Sequence, residues 1–305
     1  MIRTFLFVPG DSSKKLLKAA KSAADTLIVD LEDSVAAGER PRARELARDF
    51  LAEHGERRFW VRINPLDSDD ALADLRAVMP SSPAGIVLPK PRSARDAIRL
   101  SRLLDVLEQE HDLPAGKTSI LPIATERPAA LFHLHEYAEA TARLAGLTWG
   151  AEDLSAAVGA WQSRDADGSW LPPYALARCL CLFAAAAAGV PAIDTVYTDY
   201  RNEAGLRKHA ADARRDGFSG MLAIHPAQVR IINEVFSPNA DEVERARRIV
   251  ELFAANPEAG TIGLDGEMLD RPHLLQARRI LEMAGASKSG RRRADSGTGQ
   301  GYEDL

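Results

Sequence analysis

Ionisable residues gather just after short apolar runs in this chain: Asp30-Leu31-Glu32-Asp33, Arg62-Ile63-Asn64, Pro89-Lys90, Thr125-Glu126-Arg127, Gly150-Ala151-Glu152-Asp153 and His225-Pro226. Carboxylates with no histidine or thiolate beside them suit a hard cation. Mg2+ takes one or two of them, keeps waters, and leaves places for substrate oxygens. An arginine near such a cation can hold a carboxylate or an enolate oxygen through its planar fork. Metal plus arginine is equipment for stabilising an enolate. Lys90 offers a rival chemistry, a Schiff base, which fits less well at a rim crowded with carboxylates. Plainer readings exist for each group. Glu152 and Asp153 could serve the positive end of a following helix, Arg62 could be an ion-pair partner of Asp30 or Asp33, and His225 could cap a helix. It is the conjunction of three acidic clusters, an arginine and a lysine that points to a site. The chain contains no Gly-x-x-x-x-Gly-Lys for nucleotide phosphates and no Gly-x-Ser-x-Gly for a serine nucleophile.

These groups need elements that aim them at one place. Strand-like runs occur at Thr4–Val8, Leu27–Val29, Phe59–Val61, Gly85–Leu88, Ile120–Ala124, Leu144–Trp149, Ala192–Val196 and Gly220–Ile224, with amphipathic stretches between them. Nearly continuous apolar strands separated by helices imply a parallel sheet covered by helices. Eight such units over the first 236 residues predict an α/β fold of the (β/α)8 TIM-barrel type, whose active site lies past the C-terminal ends of the strands. An open doubly wound sheet is disfavoured, because no Gly-x-Gly-x-x-Gly turn follows the first run.

Residues 237–286 exceed what barrel closure requires. They read as a C-terminal helical extension, with helices near Asp241–Ala255 and Pro272–Ala284 and a hairpin-like piece at Gly260–Gly266. Residues 287–305 lack an apolar period and are expected to form a disordered tail. The 305 residues carry 39 Lys plus Arg against 44 Asp plus Glu, a net charge of −5, which argues against a nucleic-acid binder. No apolar stretch approaches membrane-spanning length. The two cysteines, Cys179 and Cys181, are two apart in a helical run and point apart, so a disulfide is not expected and a cytoplasmic setting fits.

Several of these segments, taken in order, resemble the citrate lyase beta-subunit-like branch of the HpcH/HpaI aldolase family, which includes malyl-CoA and citramalyl-CoA lyases. The similarity runs from Arg3 to about Ala284. It rests on Arg3-Thr4-Phe5-Leu6-Phe7-Val8-Pro9-Gly10, Asp30-Leu31-Glu32-Asp33-Ser34-Val35, Arg62-Ile63-Asn64, Leu88-Pro89-Lys90, Gly150-Ala151-Glu152-Asp153-Leu154 and Ile224-His225-Pro226-Ala227-Gln228. The resemblance implies a barrel, Mg2+, and reversible Claisen-type chemistry on acyl-CoA thioesters. It implies Glu126 and Asp153 as metal ligands and Arg62 as the arginine that stabilises the enolate. Arg127-Pro128 departs from the threonine that usually follows the glutamate, which bears on substrate selection.

The expected substrates are an acyl-CoA thioester and a 2-keto acid. Asp30, Glu32 and Asp33 are expected to orient Arg62, Lys90 and metal-bound waters. Lys90 and Arg3 are expected to help bind substrate, with Lys14, Lys18 and Arg40 as further candidates near coenzyme A. The resemblance also implies that Asp270, in the pattern Met268-x-Asp270-x-Pro272, reaches the site of a neighbouring subunit and protonates the enolate. The plainer reading makes it a helix N-cap. That role requires an oligomer, a homotrimer or a dimer of trimers, with the extension lying over the adjacent site. Alternatives are a malyl-CoA thioesterase or malate-synthase-like activity, a citrate lyase beta subunit using a carrier-protein thioester, and a non-catalytic barrel.

Overall fold

The structure, a computed structural model, describes residues 2–54 and 59–295, with side chains as far as residue 285. Eight strands run in chain order: β1 (Thr4–Pro9), β2 (Thr26–Asp30), β3 (Phe59–Arg62), β4 (Gly85–Leu88), β5 (Ser119–Pro122), β6 (Leu147–Thr148), β7 (Ala192–Asp194) and β8 (Gly220–Ala223). They form one parallel sheet in the order β5-β4-β3-β2-β1-β8-β7-β6. Bridges from Ile120 to Leu144 and from Ile123 to Thr148 bring β5 alongside β6 and close the ring. The fold is thus the expected α/β barrel. The sixth strand is shorter than its apolar run, since pairing is continuous only at Leu147–Thr148.

Helices α1 (Ser13–Ala20), α2 (Arg40–His54), α3 (Asp70–Val78), α4 (Ala94–Glu110), α5 (Ala151–Ala157), α6 (Pro172–Ala187), α7 (Glu203–Asp216) and α8 (Pro226–Val235) connect the strands. After β5 the connection is a 3-10 stretch, Pro128–Glu139. Sequence-encoded starts are visible: Ser93 Oγ accepts from Arg95 N at the head of α4 (3.2 Å), and Asn202 Oδ1 accepts from Gly205 N at the head of α7 (2.9 Å).

The lumen is packed by Phe5, Ile28, Trp60, Val87, Leu121, Ile123, Ile193 and Leu222. Phe5 and Trp60 meet edge to face, with centroids 6.0 Å apart. Gly85 leaves room for the Trp60 ring, which a Cβ there would approach to 2.5 Å. Side chains alternate across a strand, so residues two beyond this layer face the same lumen, one level nearer the C-terminal rim. Those residues include Phe7, Asp30, Arg62, Thr195 and Ile224. The alternation that builds the core therefore also delivers the polar groups above it.

The chain divides by contacts into two units, residues 2–234 and residues 235 onward. The second unit holds α9 (Ala240–Ala255), the antiparallel hairpin β9 (Thr261–Leu264) and β10 (Glu267–Asp270), and α10 (Arg271–Asp295). Its core is Ala246, Ile249, Phe253, Leu264, Leu269 and Ala277. Asn239 and Glu242 form a reciprocal capping box at the start of α9. Asp265 and Gly266 both have positive φ, 51° and 85°, as a tight hairpin turn requires. Helix α10 continues to Asp295, so the tail expected to lose structure from residue 287 is helical over 287–295. No proline interrupts that segment, and Lys288, Arg291, Arg292, Arg293 and Ala294 favour helix, against the cost of Gly290, without any apolar period. Residues 296–305 lie outside the described residues. Among the described residues no helix is long and apolar enough to cross a membrane. Cys179 and Cys181 are unpaired, one exposed and one buried.

Candidate active site

The register pairs Asp30 of β2 with Arg62 of β3, and both side chains turn into the lumen. Arg62 Nε donates to Asp30 Oδ1 and Nη2 to Oδ2, each at 2.7 Å. Asp30 also accepts from the backbone N–H groups of Glu32 (3.0 Å) and Ser34 (3.2 Å). Burial alone would raise the Asp30 pKa, but the Arg62 guanidinium and these N–H groups hold it below the usual carboxylate range. Burial opposes the charge on Arg62, but the carboxylates of Asp30, Glu32 and Glu126 outweigh it and hold the guanidinium firmly charged. Phe7 floors the group, its ring centroid 4.7 Å from Arg62 Cζ.

Glu32 and Lys90 form the next tier. Lys90 Nζ donates to Glu32 Oε1 (2.7 Å) and Asp33 Oδ1 (2.9 Å), and it lies 3.3 Å from Asp153 Oδ1. Burial lowers the Lys90 pKa, but these carboxylates more than offset it and keep the ammonium protonated above its ordinary range. A protonated amine is not a nucleophile, which weighs against the Schiff-base alternative. Glu32 is buried, and burial lifts its carboxyl to about 7 despite Arg62 and Lys90. Its Oε2 lies 3.1 Å from Arg62 Nη1 but is not aligned for a hydrogen bond, leaving a buried acceptor free.

Glu126 follows β5 and Asp153 sits in the first turn of α5. Both line one cavity of about 390 Å3, together with Phe7, Asp30, Asp33, Arg62, Trp149, Thr195 and Ile224, among others. Lys90 adopts a left-handed conformation (φ 50°) that aims its own N–H at a Glu126 carboxylate oxygen. Such a backbone costs about 1–3 kcal/mol in a non-glycine residue, so the surroundings must impose it. Gly150 passes so close that a Cβ there would come within 2.6 Å of Glu126 Cγ. Burial, then Asp153 and Glu32, push the Glu126 carboxyl well above the ordinary range. Among the described residues no group of three or more His, Cys, Asp or Glu is arranged to hold a metal ion. A pair of carboxylates is nevertheless what a mostly hydrated hard cation needs. The mutual repulsion at Glu126 and the free Glu32 oxygen fit a site that gains from positive charge.

The wall between β6 and β7 contains residues that the sequence reading passed over. Trp149, fully buried, donates from Nε1 to Asp194 Oδ1 at 2.6 Å. Asp194 also accepts from Arg178 Nη2 of α6 (3.1 Å) and from Thr195 N (2.9 Å). His209 of α7 packs beside it, and burial lowers its pKa to about 4, so the ring is neutral. Asp194 faces the helix layer because its neighbour Ile193 faces the lumen. A lone carboxylate inside the otherwise uncharged run Ala192–Val196 was the available signal.

The structure thus brings Asp30, Glu32, Asp33, Arg62, Lys90, Glu126 and Asp153 to one rim. It does not bring Arg3 there. Arg3 precedes β1 at the opposite end of the barrel and binds Asp25 through Nε (2.8 Å) and Nη2 (2.7 Å). Arg3 therefore does not fill the expected substrate-binding role, because the start of a barrel strand cannot reach the rim at its end. Arg40 pairs with Asp70 at 2.6 Å, and Lys14 and Lys18 are exposed on α1. His225 Nδ1 accepts from Ala227 N (3.2 Å), the helix-capping alternative. Arg127 pairs with Asp67 at 2.8 Å. Asp270 closes β10, with Oδ1 2.6 Å from His273 Nδ1.

Comparison with known proteins identifies the family of the chain. Residues 3–226 match the family model described as HpcH/HpaI aldolase/citrate lyase. The citrate lyase subunit beta of Haemophilus influenzae is 36% identical over 286 residues, covering 92% of this chain and 96% of that protein. A (3S)-malyl-CoA thioesterase of Cereibacter sphaeroides is 35% identical over 292 residues, covering 93% and 95%. A crystal structure of CitE from Mycobacterium tuberculosis, in complex with magnesium, acetoacetate and coenzyme A, superposes with a TM-score of 0.77 at 34% identity, covering 93% of this chain and 98% of that one. With its family model spanning all eight barrel strands and its relatives aligned over more than nine-tenths of its length, this chain belongs to the HpcH/HpaI aldolase/citrate lyase family.

Proposed function

We propose that this chain is a Mg2+-dependent carbon–carbon lyase. It would cleave, or in reverse form, a 3-hydroxyacyl-CoA such as malyl-CoA or citramalyl-CoA, giving acetyl-CoA and a 2-keto acid. The observation that carries the reading is a forked Arg62–Asp30 pair in the wall of a cavity that Glu126 and Asp153 also line. The CitE structure bound to magnesium, acetoacetate and coenzyme A supports the same ligand classes here.

Glu126 and Asp153 would hold Mg2+, which supplies Lewis-acid polarisation of the acid's oxygens when bound. Asp30 fixes the plane of Arg62 and leaves guanidinium N–H groups for a substrate oxygen. Such donors act most strongly where negative charge builds on the thioester oxygen as the carbon–carbon bond breaks. Lys90 stays protonated among Glu32, Asp33 and Asp153, so it balances their charge and fixes their positions. In cleavage the 3-hydroxyl loses its proton, the bond to the α-carbon breaks, and that carbon gains a proton. Asp270 of the partner subunit is our candidate for the acid, within a homotrimer or dimer of trimers whose extension lies over the adjacent site. We place the enzyme in the reducing cytoplasm, in keeping with its two unpaired cysteines.

The similarity to a (3S)-malyl-CoA thioesterase favours a second reading, in which water attacks the thioester carbonyl and free coenzyme A leaves. A citrate lyase beta subunit acting on a carrier-protein thioester is the corresponding reading from the Haemophilus relative. Product analysis with malyl-CoA and citramalyl-CoA separates the lyase from the thioesterase: the lyase releases a keto acid and acetyl-CoA.

A further inference from the structure

We infer that Arg164, outside the rim cluster, is a positioning residue that sets the cavity wall between β6 and β7 and thereby the acids that fit. The inference rests on the lyase reading for its choice of ligand.

Between α5 and α6 the chain forms a tight turn. Asp165 N donates to Ser169 O (2.9 Å), Gly168 N to Asp165 O (2.9 Å) and Leu171 N to Ser163 O (3.0 Å). Arg164 and Trp170 face each other as an antiparallel bridge across it. The turn could exist without Arg164, yet the guanidinium folds back over it. Nη1 donates to Gly168 O at 2.8 Å, and Cζ lies 3.4 Å from the Trp170 ring centroid and 5.4 Å from that of Tyr197. A planar cation can face two rings at once, which an ammonium does less well.

Both rings lead to the cavity. Trp170 meets Trp149 edge to face at 4.8 Å. Trp149 lines the cavity and is pinned at its far end by Asp194. Tyr197 follows the lining residues Thr195 and Val196, and its carbonyl accepts from Gln228 Nε2 at 2.8 Å. Gln228 Oε1 in turn accepts from the backbone of Ile224, another lining residue, at 2.9 Å. Arg164 therefore couples the rim segments after β6, β7 and β8 without touching the cavity itself. Glu152 and Asp153 supply the charge on this side at the head of α5, and beside them Trp149, Thr195, Val196 and Ile224 present a largely apolar surface that sets the room beside the reacting carbon.

The test uses full-length protein labelled with 5-fluorotryptophan, with the Trp149 resonance assigned by Trp149→Phe. Pyruvate and 2-oxobutyrate are titrated calorimetrically with Mg2+ present. In folded Arg164→Ala the Trp149 fluorine resonance is expected to move. Pyruvate affinity should fall by roughly fivefold to tenfold, and the preference between the two acids should shrink. Arg164→Lys should behave like Ala, because charge without the plane does not restore the stack. Should Arg164→Ala fail to fold, Arg164→Gln, with a planar uncharged group, takes its place. A folded variant with an unmoved Trp149 resonance and unchanged acid preference would overturn the inference, as would full rescue by lysine. If the wild type binds neither acid, the lyase reading falls, and the fluorine resonance alone decides the role of Arg164.

Discussion

Arg62 and Asp30 sit directly across a parallel strand pair and share two hydrogen bonds of equal length, 2.7 Å each. The pair is nearly buried, so the guanidinium is fixed in plane and in charge before any ligand arrives. Arg62→Lys keeps the charge and loses the fork. We expect turnover to fall by roughly two orders of magnitude or more, with the fold intact by circular dichroism. Near-normal kcat in this variant would reduce Arg62 to a structural ion pair.

Gly150 offers a test of Glu126 that leaves every charged group in place. Adding a methyl at Gly150 puts a carbon about where Glu126 Cγ needs space, with a separation of 2.6 Å. Gly150→Ala should therefore displace the carboxylate and weaken Mg2+ binding by roughly tenfold to a hundredfold, the range seen when supports of metal ligands are removed. Calorimetric titration with Mg2+ checks this. Unchanged affinity in the variant would argue that Glu126 is not a ligand.

At the opposite end of the barrel, Glu108 accepts from Arg143 Nη1 (2.8 Å) and Nη2 (2.6 Å) and from the backbone N–H groups of Gly116 (2.7 Å) and Thr118 (2.8 Å). Burial would raise its pKa, but these donors prevail and lower it to about 2. A carboxylate depressed in the folded state stabilises fully above its unfolded pKa, roughly 4.3. That contribution is lost as pH falls toward 2. Glu108→Gln should thus be less stable than wild type at pH 7, and the gap in urea midpoint should narrow below about pH 4. A gap that stays constant with pH would contradict the assignment.

Asp270 carries the most demanding part of the proposal. Asp270→Asn should preserve Mg2+ binding and sedimentation as an oligomer while sharply slowing turnover. A fully active monomer in solution would remove the role for a neighbouring extension.

Much of this architecture can be read from the order of residues, because the two-residue period of a strand links core to site. Ile28 in the lumen implies Asp30 in the lumen, and Trp60 implies Arg62. What escaped the reading depended on direction and tertiary packing. Arg3 opens a strand whereas Asp30 closes one, and only the closing end reaches the site. Asp194 was absorbed into an apolar run, although Ile193 beside it implies that its carboxylate faces the helices. The cage around Asp194 joins residues 45 positions apart, Trp149 and Asp194, a relation that local spacing does not encode. Helix α10 extends over a segment with no apolar period, where propensity rather than patterning is the only local signal.

The most direct test of the central claim is product analysis after purified enzyme meets malyl-CoA with and without Mg2+. The account predicts glyoxylate and acetyl-CoA in equal amounts, formed only with the metal and abolished in Glu126→Gln and Asp153→Asn. Release of malate and free coenzyme A without glyoxylate, or turnover indifferent to Mg2+, would contradict it.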